Sequence, residues 1–181
     1  MDFAPPPTAP TRYDATMTTH PTTTPARRSA AEQARLDTAL ADLFEQRITF
    51  NQTLGLKVVS ACHPDPRFRF AMRPELIGHF LHGRLHGGVI SATLDAMGGF
   101  ALMVAIGDKH AEENTAQVLH RFGKMGTIDL RIDYLRPGTG EWFEASAEVT
   151  RLGGRIGSTQ MRLANDAGTL IATGSAAYVI S

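Results

Sequence analysis

The run His86-Gly87-Gly88-Val89-Ile90-Ser91-Ala92-Thr93-Leu94-Asp95 decides how this chain is read. From Val89 to Ile106 the only polar side chains are Ser91, Thr93 and Asp95. A helix apolar on all sides is a buried core helix, so this run opens one. A carboxylate on such a helix is costly unless something compensates it. The two glycines at its start leave bare backbone N–H groups, which favour a developing negative charge. A base and an anion donor on one segment point to hydrolysis of an acyl compound. On these residues alone, a structural carboxylate hydrogen-bonded to Thr127 or to backbone is an equal alternative.

The apolar stretch is long enough to be taken for a membrane span. Asp95 and the Gly98-Gly99 pair speak against that, since an aspartate at a helix centre costs about 2.5–3.5 kcal/mol on insertion. No membrane is expected as a partner. The chain has 181 residues, enough for one domain with a sizeable core. Its formal net charge is zero, which gives no basic field for nucleic acid. The single cysteine, Cys62, excludes an intrachain disulfide and fits a reducing, cytoplasmic setting. Cys62 reads as a packed thiol. No apolar leader segment follows a basic start.

Working outward, residues 1–28 are rich in Pro and Thr and nearly free of large aliphatics, the composition of a disordered tail. Met17, inside this tail, is the expected translation start. Residues 29–49 form an amphipathic helix: Ser29 and Glu32 have capping-box spacing, and Leu36, Leu40, Leu43 and Phe44 make one face. This helix is expected on the outside of a domain spanning 50–181. Leu54–Ala61 and Phe68–Met72 read as strands, and Met72–Leu85 as a loop. Asp108–Phe122 is polar, with a short helix around Glu112–Arg121. Thr127–Tyr134 alternates with period two, Ile128, Leu130, Ile132 and Tyr134 facing inward. Phe143, Ala145, Ala147 and Val149 face inward on the next strand. Gly153-Gly154 turns the chain, as glycine adopts positive φ cheaply. Asn165–Gly168 turns it again. The fold class is α+β: an antiparallel sheet around one central helix.

This order, with these residues, resembles the hotdog fold and, more narrowly, the PaaI-type acyl-CoA thioesterases. Three pieces carry the likeness. They are His86-Gly87-Gly88 with Asp95 at its helical offset, the strand Thr127–Tyr134 running on to Arg136-Pro137, and the hairpin Arg151-Leu-Gly-Gly-Arg155. Phe50–Leu56 fits the family's first strand. The likeness covers Phe50 to the C-terminus. It departs in one place. Many relatives carry an asparagine just before the His-Gly-Gly turn, but this chain has His79-Phe80 there and no asparagine between Asn51 and Asn114. Either His79 replaces that donor or the contact is missing.

The resemblance implies acyl-CoA as substrate, Asp95 as base or nucleophile, the Gly87 N–H as oxyanion donor, and Thr127 as the hydroxyl that places water or carboxylate. His86 belongs to the same catalytic segment, as the residue that fixes the turn. Gly88 with Ser91 and Ala92 leaves room for the acyl-pantetheine arm. Phe80 and Phe100 admit an aryl or fatty acyl group. Arg84, Arg136, Arg151 and Arg155 are candidate contacts for the coenzyme A phosphates. Asp95 and Gly87 are eight residues apart on one helix, about 12 Å at 1.5 Å per residue. One chain therefore cannot bring both to one carbonyl. A two-fold homodimer with antiparallel central helices can, with tetramers of such pairs left open.

Two other functions remain: a hotdog dehydratase or hydratase, which needs a catalytic histidine, and a non-catalytic acyl-CoA-binding protein. No cofactor is implied. His79, His82 and His86 do not make a zinc site, because Gly83 and Gly87 interrupt the run and only Glu75 is near to complete a set.

Overall fold

The computed structural model describes residues 26–181; most of the Pro/Thr-rich tail, Met17 included, lies outside them. Helix α1 (Ala30–Asp42) starts at Ser29, whose side chain accepts the Glu32 N–H. The capping box is only half made. Glu32 accepts instead from the Thr115 N–H and hydroxyl, at 2.9 and 2.8 Å. That tie draws α1 onto the domain, and Leu36 and Leu40 are buried in the common core. The helix expected on the outside is thus part of the core.

A π-helical turn (Leu43–Arg47) and helix α2 (Thr49–Leu54) follow. Phe50–Leu56 is therefore not the first strand. Gly55, at φ 73°, closes α2 on the carbonyls of Asn51 and Gln52, so the chain extends only after it. The buried Asn51 amide donates to the Phe44 carbonyl at 3.0 Å and fixes α2 to the π-turn.

Strands β1 (Lys57–Ser60) and β2 (Arg67–Ala71) pair antiparallel. Cys62, between them, is exposed rather than packed. Where a plain loop was expected, a 3-10 turn (Pro74–Leu76) leads into a short hairpin of β3 (Ile77–His79) and β4 (Arg84–Leu85). Helix α3 (Gly87–Lys109) then runs unbroken for 23 residues. Leu94, Met97, Phe100, Leu102 and Met103 on it have no exposed surface. Each such burial contributes about 2 kcal/mol. The helix is long and apolar enough to cross a membrane, but 67% of its apolar window is buried inside the domain, as befits a core helix. Helix α4 (Thr115–Phe122) opens with a complete capping box between Asn114 and Gln117.

Strands β5 (Gly126–Tyr134), β6 (Trp142–Leu152), β7 (Ile156–Asn165) and β8 (Leu170–Val179) complete an antiparallel sheet of order β1-β2-β6-β7-β8-β5. Helix α3 packs on β5 to β8. This is the hotdog arrangement, a curved sheet wrapped around one helix. Phe143, Ala145 and Ala147 face inward as the alternation requires. Gly153-Gly154 does turn the chain, but neither residue has positive φ. Gly153 is needed for space, because a Cβ there would lie 2.7 Å from the Ile156 carbonyl oxygen.

Strand β5 breaks its own alternation. A register shift between Thr127 and Asp129 marks a bulge, so Thr127 pairs with Tyr178 while Leu130 pairs with Ala176. Thr127 and Leu130, three apart, thereby share the face toward α3. Ile128 is extruded and is 57% exposed.

Candidate active site

Asp95 is half-buried near the middle of α3. The bulge in β5 aims Thr127 at it, and the Thr127 hydroxyl donates to Asp95 Oδ1 at 2.9 Å. A second donor was not anticipated. The Tyr178 hydroxyl, on β8, donates to the Asp95 main-chain carbonyl at 2.9 Å and to Oδ1 at 3.2 Å. Thr127 and Tyr178 are direct cross-strand partners, so their side chains leave the same face of the sheet. Burial, and then the negative charge of Asp95, push the Tyr178 phenol well above its ordinary range. The phenol therefore stays protonated and acts as a donor.

Beside Asp95 opens a cavity of about 260 Å³. Phe44, Ile48, Phe50, Phe122 and Met125 form its apolar wall, and Asp95, Thr127 and Tyr178 its polar edge. The π-turn and α2 supply one side of this wall, which is why the N-terminal segment matters to the site. Neither aromatic suggested by the sequence lines it. Phe100 is fully buried, edge-on to Phe44 and tilted against Phe68, and Phe80 stands 84% exposed on the β3–β4 tip.

At the start of α3, His86 is the N-cap. Its Nδ1 accepts the Gly88 N–H at 2.8 Å. This fixes the tautomer, with any ring proton on Nε2. Gly88 makes room for the imidazole rather than for an open channel, since a Cβ there would lie 2.9 Å from His86 Nδ1. Among the described residues no acceptor meets the Gly87 N–H, while the Gly87 carbonyl accepts the Tyr134 hydroxyl at 3.1 Å. Asp95 and Gly87 lie on one continuous helix, so their separation stays at about 12 Å within the chain.

The other expected contacts divide between two ends of the molecule. His79 and Arg84 lie on the β3–β4 hairpin next to His86. Arg136 joins them, because Leu85 donates to the Gly138 carbonyl; the Arg136 guanidinium itself donates to the Leu170 carbonyl at 3.1 Å. His79 is exposed and packs on His82, ring centroids 4.7 Å apart. Arg155 is elsewhere. It sits on the β6–β7 turn, paired through its carbonyl with Ile180 near the C-terminal end of α3. Among the described residues, His110, Glu112 and Glu113 bring potential metal donors within 4.8 Å of one another. Glu113 is already ion-paired with Arg121, which supplies the positive charge a metal would bring.

The profile of the thioesterase superfamily matches residues 82–172, from the β3–β4 turn into β8. A medium/long-chain acyl-CoA thioesterase, YigI of Escherichia coli K12, is 32% identical over 141 residues, covering 78% of this chain and 91% of that protein. A Shewanella oneidensis protein described as related to the thioesterase superfamily superposes with a TM-score of 0.78 at 34% identity, over 82% of this chain and 97% of its own. The Escherichia coli PaaI protein shares the fold, with a TM-score of 0.61 at 15% identity over 81% of this chain and 94% of its own. The chain belongs to the thioesterase superfamily and is a thioester hydrolase with the hotdog fold.

Proposed function

We propose that this protein hydrolyses acyl-CoA thioesters at two equivalent sites, each shared between the subunits of a homodimer. The observation that carries the reading is the carboxylate of Asp95, held by two hydroxyls at the open edge of an apolar cavity. The likeness to a medium/long-chain acyl-CoA thioesterase supports a fatty acyl group in that cavity.

Water reaches the half-buried Asp95 from the cavity. Asp95 takes a proton from this water as its oxygen bonds to the thioester carbonyl carbon. The carbonyl oxygen, now negative, is held by the partner's Gly87 N–H and the positive end of that helix. Collapse breaks the C–S bond, the proton held by Asp95 passes to the leaving thiolate, and the products are a carboxylic acid and coenzyme A. The free Gly87 N–H supports this division of labour. So does the nine-residue edge strand β5, which presents Ile128 and Tyr134 at 57% and 55% exposure, with Leu135 just beyond it at 47%. An unpaired strand edge of that length is a template for pairing with a second copy. In an antiparallel pairing, Arg84 and Arg136 accompany the partner's Gly87 and face the phosphates. Arg155 lies near the far end of α3 and is the weaker candidate.

A dehydratase reading is disfavoured because His86 spends Nδ1 on its helix cap. The test is a panel of acyl-CoA esters of increasing chain length, with thiol release measured for wild type and Asp95→Asn. The expected result is release that favours medium and long chains and falls about 10³-fold in the variant, within the range for loss of a general base. Wild type that binds acyl-CoA without releasing thiol would leave an acyl-CoA-binding protein as the remaining reading.

A further inference from the structure

Two hydroxyls converge on one atom of Asp95. Thr127 meets Oδ1 at 2.9 Å and Tyr178 meets it at 3.2 Å. Among the described residues no donor meets Oδ2. The Tyr178 arrangement comes at a structural cost. The side chain is 3% exposed, and a buried hydroxyl is unfavourable unless it is bonded. A phenylalanine would fill the same space without that demand. The central helix also gives way to it. A Cβ on Gly98 would lie 2.3 Å from the phenol oxygen, so a glycine stands mid-helix, where it costs about 1 kcal/mol relative to alanine.

We propose that Tyr178 is a positioning residue for thioester hydrolysis: with Thr127 it holds Oδ1 of Asp95 and thereby presents Oδ2 to the cavity as the basic oxygen. The inference rests on Asp95 being the base, and adds which oxygen acts and what orients it. The terminal torsion of an aspartate is soft, so without fixed donors its two oxygens exchange places freely. Two donors from adjacent, paired strands remove that freedom. The phenol has one proton, shared between the Asp95 carbonyl at 2.9 Å and Oδ1 at 3.2 Å, which ties the carboxylate to its own backbone. Thr159 on β7 lies beside the phenol against Gly98, and its own hydroxyl donates to Met161 Sδ at 3.0 Å. Because burial keeps the phenol protonated, it does not compete with Asp95 as a base.

A hydroxyl with a merely structural role would lower stability and leave the turnover of folded protein unchanged. The experiment therefore measures kcat and KM for acyl-CoA hydrolysis, with thermal melts, for wild type, Asp95→Asn, Tyr178→Phe and Gly98→Ala. The last variant keeps the phenol in the core but pushes its oxygen away from Asp95, so it serves if Tyr178→Phe fails to fold. The expected result is a kcat lower by about 10- to 100-fold in both, the scale of a small misplacement of a reacting group. KM should stay within about two-fold. Wild-type kcat in either folded variant, with Asp95→Asn inactive, overturns the positioning role and leaves the base assignment intact. Full activity in Asp95→Asn overturns the base assignment and this inference with it.

Discussion

Thr93 and Asp95 lie two residues apart on α3, and their polar groups meet opposite environments. The Asp95 carboxylate reaches the cavity and two donors. The Thr93 hydroxyl is fully buried and has no hydrogen-bond partner among the described residues. An unsatisfied buried hydroxyl is a liability that an isosteric methyl removes. Thr93→Val is therefore expected to raise stability by about 1 kcal/mol, read as a higher urea midpoint, with thioesterase activity unchanged. At this scale Asp95 was legible because it is the lone acid in an apolar run. Gly87 was legible because a glycine at a helix start leaves its N–H bare. Tyr178 was not. It lies 83 residues from Asp95, and a tyrosine in a strand of small residues reads as packing. The usable signal was indirect: a glycine pair mid-helix needs a side chain from elsewhere to fill the space.

At the level of elements, the long helix followed from its unbroken apolar run and the last four strands from alternation and turns, but β5 crosses over to pair with β8 rather than with the next strand, β6, and the N-terminal region was not legible. A six-residue helix over Thr49–Leu54 has too few turns to show a period, and its β-branched and aromatic residues suit a strand equally well. The bulge in β5 was hidden for a related reason. Alternation describes a regular strand, and here tertiary pairing resets it at Ile128 so that Thr127 can face Asp95. Arg28 was counted with the tail on composition, yet it ends α3. Its guanidinium donates to the carbonyls of His110 at 2.9 Å, Glu113 at 2.6 Å and Gly107. A positive charge on the last carbonyls of a helix is favourable both as a cap and toward the dipole. Arg28→Ala is expected to destabilise the protein by about 2 kcal/mol, the scale of charged hydrogen bonds that are partly buried. Chemical unfolding measures this, and the variant's kcat should be retained because Asp95 lies about 21 Å from that helix end.

For the whole molecule, the proposed reading gives one chain half of each of two sites. The division follows from α3, one continuous helix that keeps Asp95 and the Gly87 N–H about 12 Å apart. It is tested by mixing two inactive variants, Asp95→Asn and Gly87→Pro. The second deletes the N–H with little disturbance. Gly87 is the first helical residue, where proline is well tolerated, and His86 already has the extended conformation proline requires before it, at φ −66° and ψ 137°. A Cβ at Gly87 would meet nothing nearer than 3.5 Å. In a mixed dimer, one site pairs an intact Asp95 with an intact Gly87, and the other has neither. Random re-pairing of equal amounts makes half the dimers mixed, so about a quarter of wild-type thioesterase activity should return. Mixed dimers that form and fold but recover no activity would contradict a site shared between subunits.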